Sequence, residues 1–117
     1  MAPWRPDISY AAERFSGLVS TLYGLCSHCV IVVSSLPPNG GPIYNANIDA
    51  FNSAIESDTK DRASQGQNIG FSDGNTGLTI ARDMSKDETH PNDKGYAKIG
   101  KRIVEAVFVA EKKGWLG

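Results

Sequence analysis

The residues that most constrain this chain are Val30, Ile31, Val32 and Val33, four β-branched residues in a row, closed by the breaker-rich stretch Leu36-Pro37-Pro38-Asn39-Gly40-Gly41. A half-buried strand alternates apolar and polar residues, whereas an uninterrupted β-branched run reads as a strand covered on both faces, the habit of parallel sheets. Parallel strands need crossover connections, and the flanking sequence supplies helical patterns for them. From Asp7 to about Tyr23, Ile8, Ala11, Ala12, Phe15, Leu18, Val19 and Leu22 recur at helical spacing, with Asp7 or Ser9 as the cap and Gly24 as the stop. A second helix is predicted from Tyr44 to about Thr59, buried through Tyr44, Ile48, Phe51 and Ile55. After a polar turn at Asp61–Gln67, the segment Ile69-Gly70-Phe71-Ser72-Asp73 offers a second strand. Gly74 to Glu88 reads as a loop. A last helix runs from Asn92 or Asp93 to Lys113, buried through Tyr96, Ile99, Ile103, Val107 and Ala110.

The order helix, strand, helix, strand, helix implies an α/β chain with a parallel sheet between helices, and 117 residues leave room for one domain. Two strands are few for a doubly wound sheet, so an uncovered edge and apolar surface are expected. Such a chain is expected to be marginally stable and prone to associate through that edge.

The chemistry-bearing stretch is Asp87-Glu88-Thr89-His90-Pro91-Asn92-Asp93. Pro91 biases His90 away from helical backbone, which keeps its imidazole on a loop. Asp87, three residues earlier, is placed to hold a ring N–H, fixing the tautomer and stabilising the imidazolium. Asn92 or Asp93 would cap the following helix and pin the loop to it. These residues could equally be a surface Asp and His beside a helix cap.

The run Asp87 to Ile103, DETHPNDKGYAKIGKRI, resembles the last conserved block of SGNH (GDSL-type) hydrolases, in which DxxHP precedes Gly-Tyr and a C-terminal helix. Upstream, VIVVSSLPPNG looks like the strand and loop after the third block, IDAFNSAI like the next helix, and NIGFSDGNTGLT like the last strand. DISYAAERFSGLVSTLY is similar to the helix before them. The series looks closest to fungal acetylxylan-esterase-like members. The resemblance implies a flavodoxin-like three-layer α/β/α fold, here without its N-terminal strands, with residues 1–117 as the C-terminal portion of one esterase domain. It implies hydrolysis of carboxylic esters, often acetyl groups on polysaccharide, with Asp87 as orienting acid and His90 as general base. The family's serine lies in a Gly-Asp-Ser block, and its oxyanion donors include a glycine and the asparagine of a Gly-x-Asn-Asp block. None of these is present, so the chain is expected to be inactive alone, with the nucleophile on polypeptide that the sequence does not contain. Trp4, Arg5 and Pro6 are then the tail of a preceding strand region.

A rival nucleophile is Ser72, because Gly70-Phe71-Ser72-Asp73-Gly74 spells GxSxG. An elbow of that type needs a helix directly after the serine, and Asn75 to Asp83 reads as loop. A third alternative is a non-catalytic module that pairs its open sheet edge with another chain.

Cys26 and Cys29 flank His28, but no second ligand pair follows, and the first cysteine sits at a helix end, so they read as two thiols in a connector. Asp83, Asp87, Glu88 and Asp93 lack calcium-loop spacing and read as solvated loop charge. Gly40-Gly41-Pro42 lacks the lysine of a phosphate loop. No cofactor or metal is expected. A net charge of −1 makes nucleic acid and anionic membrane poor partners. There is no signal-peptide core in MAPWRPD, and the chain as written is expected to stay in the cytosol, although the family it resembles is often secreted.

Overall fold

The computed structural model describes residues 8–117. The elements are α1 (Ile8–Leu25), β1 (Ile31–Ser34), α2 (Pro42–Ser64), β2 (Ile69–Ser72), α3 (Ile80–Asp83) and α4 (Asp93–Lys112). β1 and β2 pair in parallel, in register from Ile31 opposite Ile69 to Ser34 opposite Ser72, with α2 as the crossover. The mixed α/β architecture expected from the β-branched run is therefore present.

Strand alternation assigns the layers. Ile31 and Val33 of β1 share a face with Ile69 and Phe71 of β2, and this face meets Phe15, Val19 and Tyr23 of α1 and Phe51 and Ile55 of α2. Phe15 and Phe51 meet edge to face, with centroids 6.4 Å apart. α4 packs against both strands from the opposite face, where Trp115 lies over Gly70. Two polar ties lock α1 onto this frame. Tyr23 donates its hydroxyl to Asn68 O at 2.7 Å, and Arg62 Nη2 donates to Ser16 O, Ser16 Oγ and Ser20 Oγ at 2.8, 2.8 and 2.9 Å.

Several sequence expectations are corrected. Asp7, Trp4, Arg5 and Pro6 lie outside the described residues, while Ser9 sits inside α1, and the helix passes through Gly24 to Leu25. α2 starts earlier, on Pro42, whose fixed φ suits a first helical turn, and it continues through Asp61–Ser64, where a turn was expected. Its extra turn is held by the Arg62 contacts and by an ion pair from Arg62 Nε to Asp58 at 2.9 Å, tertiary links that periodicity does not register. The turn itself is confined to Gln65–Gln67, with Gly66 at a φ of 96°. Tyr44, Tyr96 and Val107, assigned to buried stripes, are exposed. Cys26 and Cys29 are joined in a disulfide rather than being two thiols.

Candidate active site

Asp83 to Asn92 forms a tight excursion between α3 and α4 whose base is a half-buried polar clamp. Asn92 caps α4 by accepting from Gly95 N at 3.0 Å, and its Nδ2 donates to Arg82 O and Met84 O at 2.8 and 3.2 Å. Asn92 N donates to Asp83 O at 2.9 Å, and Met84 bridges Pro91 in antiparallel fashion. Gly95 is required by this clamp, because a Cβ there would overlap the Asp83 carbonyl.

Asp83, expected to be solvated loop charge, is instead 1% exposed. Lys98 Nζ of α4 lies 2.8 Å from its Oδ1 and 3.0 Å from its Oδ2, and Thr79 N donates to Oδ2 at 2.8 Å. Lys98, followed by the Thr79 amide, holds the Asp83 carboxyl below the usual range. Neither partner carried a signal in the sequence, since fifteen positions separate Asp83 from Lys98 and no helical or strand period links them.

The clamp presents Asp87 and His90 together. Asp87 Oδ2 lies 2.6 Å from His90 Nδ1, and Asp87 Oδ1 accepts from His90 N and Thr89 N, both at 3.0 Å. Ser85 Oγ lies 3.1 Å from Asp87 Oδ1 and 2.6 Å from His90 O, and Ser85 N donates to His90 O at 2.8 Å. The backbone N–H of His90, then its ring and the Thr89 amide, hold the Asp87 carboxyl well below the ordinary carboxylate range. An ionised carboxylate only accepts, so Nδ1 carries the hydrogen and the neutral ring keeps its lone pair on Nε2. This is the tautomer a general base needs.

The loop after β1 braces the other side. Gly40 N donates to Glu88 O at 2.8 Å and Asn39 Nδ2 donates to Thr89 Oγ1 at 3.1 Å. Asn39 is itself held by Asn45, which accepts from Asn39 N at 2.8 Å and donates to Asn39 O. Glu88 takes a φ of 56°, left-handed backbone that is uncommon outside glycine, at the apex these braces hold. Asn39, Gly40, Ser85, Asp83 and Lys98 are thus the residues that reading along the chain missed.

His90 and Asp87 stand on the surface, their side chains 70% and 50% exposed. A recess of about 250 Å³ beside α2, lined by Ser35, Asn52, Glu56, Phe71, Asp73 and Thr76, does not include them. Asp73 in that recess is held below the usual carboxylate range: burial pushes it up, but hydrogen bonds from Thr76 and Asn75 and the nearby Arg102 outweigh it. Ser72 is buried, and its Oγ has no hydrogen-bond partner among the described residues. The residues after it form a turn held by Asp73, with Asn75 N and Thr76 N donating to its Oδ1, and no helix begins until Ile80. The elbow that the GxSxG spelling requires is absent.

No family model matches the chain, and no curated protein matches it in sequence. Among solved structures, a Clostridium thermocellum family 3 carbohydrate esterase is similar, with a TM-score of 0.71 and 18% identity over 84% of this chain. The match takes in 47% of that protein, so the chain spans about half its length. The mixed α/β fold is therefore similar to part of the fold of that carbohydrate esterase.

Proposed function

We propose that this chain is the acid–base portion of an SGNH-type carboxylic-ester hydrolase, with His90 as general base and Asp87 as its orienting acid. The observation that carries the reading is the 2.6 Å contact between Asp87 Oδ2 and His90 Nδ1, which leaves Nε2 as the outward-facing basic atom on a braced loop. In this role Nε2 takes the proton of a serine hydroxyl as that oxygen attacks the ester carbonyl. The imidazolium, stabilised by Asp87, then returns the proton to the departing alcohol. The same pair acts again when water releases the acyl group. The serine and its oxyanion donors belong to polypeptide outside these 117 residues, in the reading that makes the chain the C-terminal portion of an esterase domain. Acetyl esters of polysaccharide are the substrate class that the resemblance in sequence favours, and the carbohydrate esterase of like fold supports the coarser reading, an ester of a carbohydrate.

Two measurements test this. Long-range ¹H–¹⁵N NMR should find neutral His90 protonated on Nδ1, with that preference lost in Asp87→Asn. A ring that favours Nε2–H in the parent would remove it as the base. Fluorophosphonate treatment of the folded chain, read by intact mass, should give no adduct. A serine adduct that disappears in His90→Ala would place the nucleophile within this chain and bring Ser72 back.

A further inference from the structure

The acid–base loop turns on Glu88, the residue between Asp87 and the two amides that Asp87 holds. Asp87 Oδ1 accepts from Thr89 N and His90 N, both at 3.0 Å, so two successive N–H groups point back at one carboxylate oxygen. Glu88 makes that reversal with a φ of 56°, a left-handed conformation that is uncommon for a residue with a side chain. Asparagine and aspartate reach this region with the help of a local hydrogen bond from their own short side chain, a device glutamate lacks. The turn therefore has to be held by its neighbours. Glu88 N donates to Ser85 O at 2.9 Å from within the loop, and the rest of the hold comes from outside it.

Gly40 supplies it. Its N–H donates to Glu88 O at 2.8 Å, and the Glu88 side chain occupies the space where a side chain at residue 40 would begin. A Cβ on Gly40 would come within 2.6 Å of Glu88 Cβ and 2.8 Å of its Cδ, closer than carbon atoms pack. The glycines in the left-handed region are Gly66, Gly77, Gly114 and Gly117, so Gly40 is needed for its lack of a side chain and not for its backbone freedom. The loop that carries it is fastened to α2. Asn45 accepts from Asn39 N at 2.8 Å and donates to Asn39 O, while Asn39 Oδ1 accepts from Gly41 N at 2.8 Å. Asn52, two helical turns further on, accepts from Leu36 N and donates to Leu36 O at 2.8 and 3.0 Å. With both of its ends tied to one helix, this loop is a fixed wall against which Glu88 rests.

We infer that Gly40 is a positioning residue for His90, acting through Glu88. The bare Cα of residue 40 lets Glu88 keep its left-handed turn, and that turn directs the Thr89 and His90 amides onto Asp87 Oδ1. Held there, the Asp87 carboxylate presents Oδ2 to His90 Nδ1 at 2.6 Å, which leaves Nε2 as the basic atom. A side chain at residue 40 pushes Glu88 outward and takes both amides off the carboxylate, which then no longer selects one ring tautomer. The backbone turn and the room for it carry this role, and the charge of Glu88 has no part in it. The base is thereby held from two helices on opposite faces of the sheet, by α4 through Asn92 and by α2 through the loop of Gly40. The inference rests on the reading of His90 as general base.

Solution NMR on the full chain tests it with two readouts, the His90 ring tautomer from long-range ¹H–¹⁵N spectra and the solvent exchange of the Thr89 and His90 amides. In Gly40→Ala the Nδ1–H preference should be lost and both amides should exchange faster by roughly tenfold, the scale of an overpacked contact. Glu88→Gly takes up the left-handed turn without strain and should keep both parent values. Combining Gly40→Ala with Glu88→Gly should restore them, because the colliding side chain is gone, a rescue that general loss of structure would not show. Gly17→Ala on α1, where a Cβ meets nothing within 4 Å, should change neither readout. Parent values in Gly40→Ala, no rescue in the double variant, or loss of the Nδ1–H preference in Glu88→Gly alone would each overturn the inference, while a parent ring on Nδ1–H would leave His90 standing as the base. A parent ring that favours Nε2–H would remove the base reading itself, and the role of Gly40 with it.

Discussion

At the scale of single residues, the candidate site depends on which charges are held and which are free. Asp83 is enclosed and among the described residues its ion pair is with Lys98, so Lys98→Met leaves a buried carboxylate with the Thr79 amide and the more distant charge of Arg82. Its urea midpoint should fall clearly further than that of Lys60→Ala, which removes an exposed i,i+4 pair with Glu56 worth about 0.5 kcal/mol or less. Equal shifts would mean that the Asp83–Lys98 pair contributes no more than a surface contact. The DxxHP spacing was legible because Asp87 and His90 are three residues apart and the local backbone alone brings them together. Asp83 and Lys98 were not legible, since their meeting requires α3 and α4 to be docked first.

At the scale of elements, α4 connects the site to the sheet, and Asn92 is the joint. Asn92→Ala removes the cap and both donor contacts to the loop base, and should cost about 1 kcal/mol for the cap alone, read from denaturant melts. The same variant should broaden or split the His90 ring signals in NMR spectra as the loop loses its brace; unchanged signals would show that the Asn39 and Gly40 contacts suffice. On the other face, Ile55 of α2 is 2% exposed at the centre of the core formed with Val19, Val33 and Ile69. Ile55→Ala should cost about 2–5 kcal/mol, enough to unfold a chain with so small a core. A cooperative melt near the parent midpoint would show that the stability resides elsewhere. The helical stripes in the sequence found these elements, but they overstated burial at Tyr44, Tyr96 and Val107, because periodicity identifies an apolar face without saying what covers it.

At the scale of the whole molecule, a radius of gyration of 15.4 Å exceeds the roughly 13 Å expected of a compact chain of this length, in keeping with extents of 43 × 36 × 20 Å. The flat shape leaves large aliphatic side chains exposed on α1 and α4. Its acid stability follows from Asp73, Asp83 and Asp87, all held below the ordinary carboxylate range. A carboxylate with a lowered folded pKa binds fewer protons folded than unfolded. Its contribution is therefore complete above the unfolded value near 4 and is lost as pH falls through the folded value. The melting temperature should be level from about pH 7 to 5 and decline below about pH 4, less steeply in Asp87→Asn. A profile in Asp87→Asn that superimposes on the parent would show that the loop carboxylate plays no part in it. What the sequence determined by itself was local: the β-branched strand, the helical stripes, the breakers between them and the Asp87–His90 spacing, each set by neighbours within a few residues. Only the tertiary structure decided that Asp61–Ser64 is helical, that Asp83 is buried against Lys98, and that Tyr44, Tyr96 and Val107 are exposed among the described residues. Those outcomes depend on which segments come to lie against one another, and that is fixed by the packing of the whole chain.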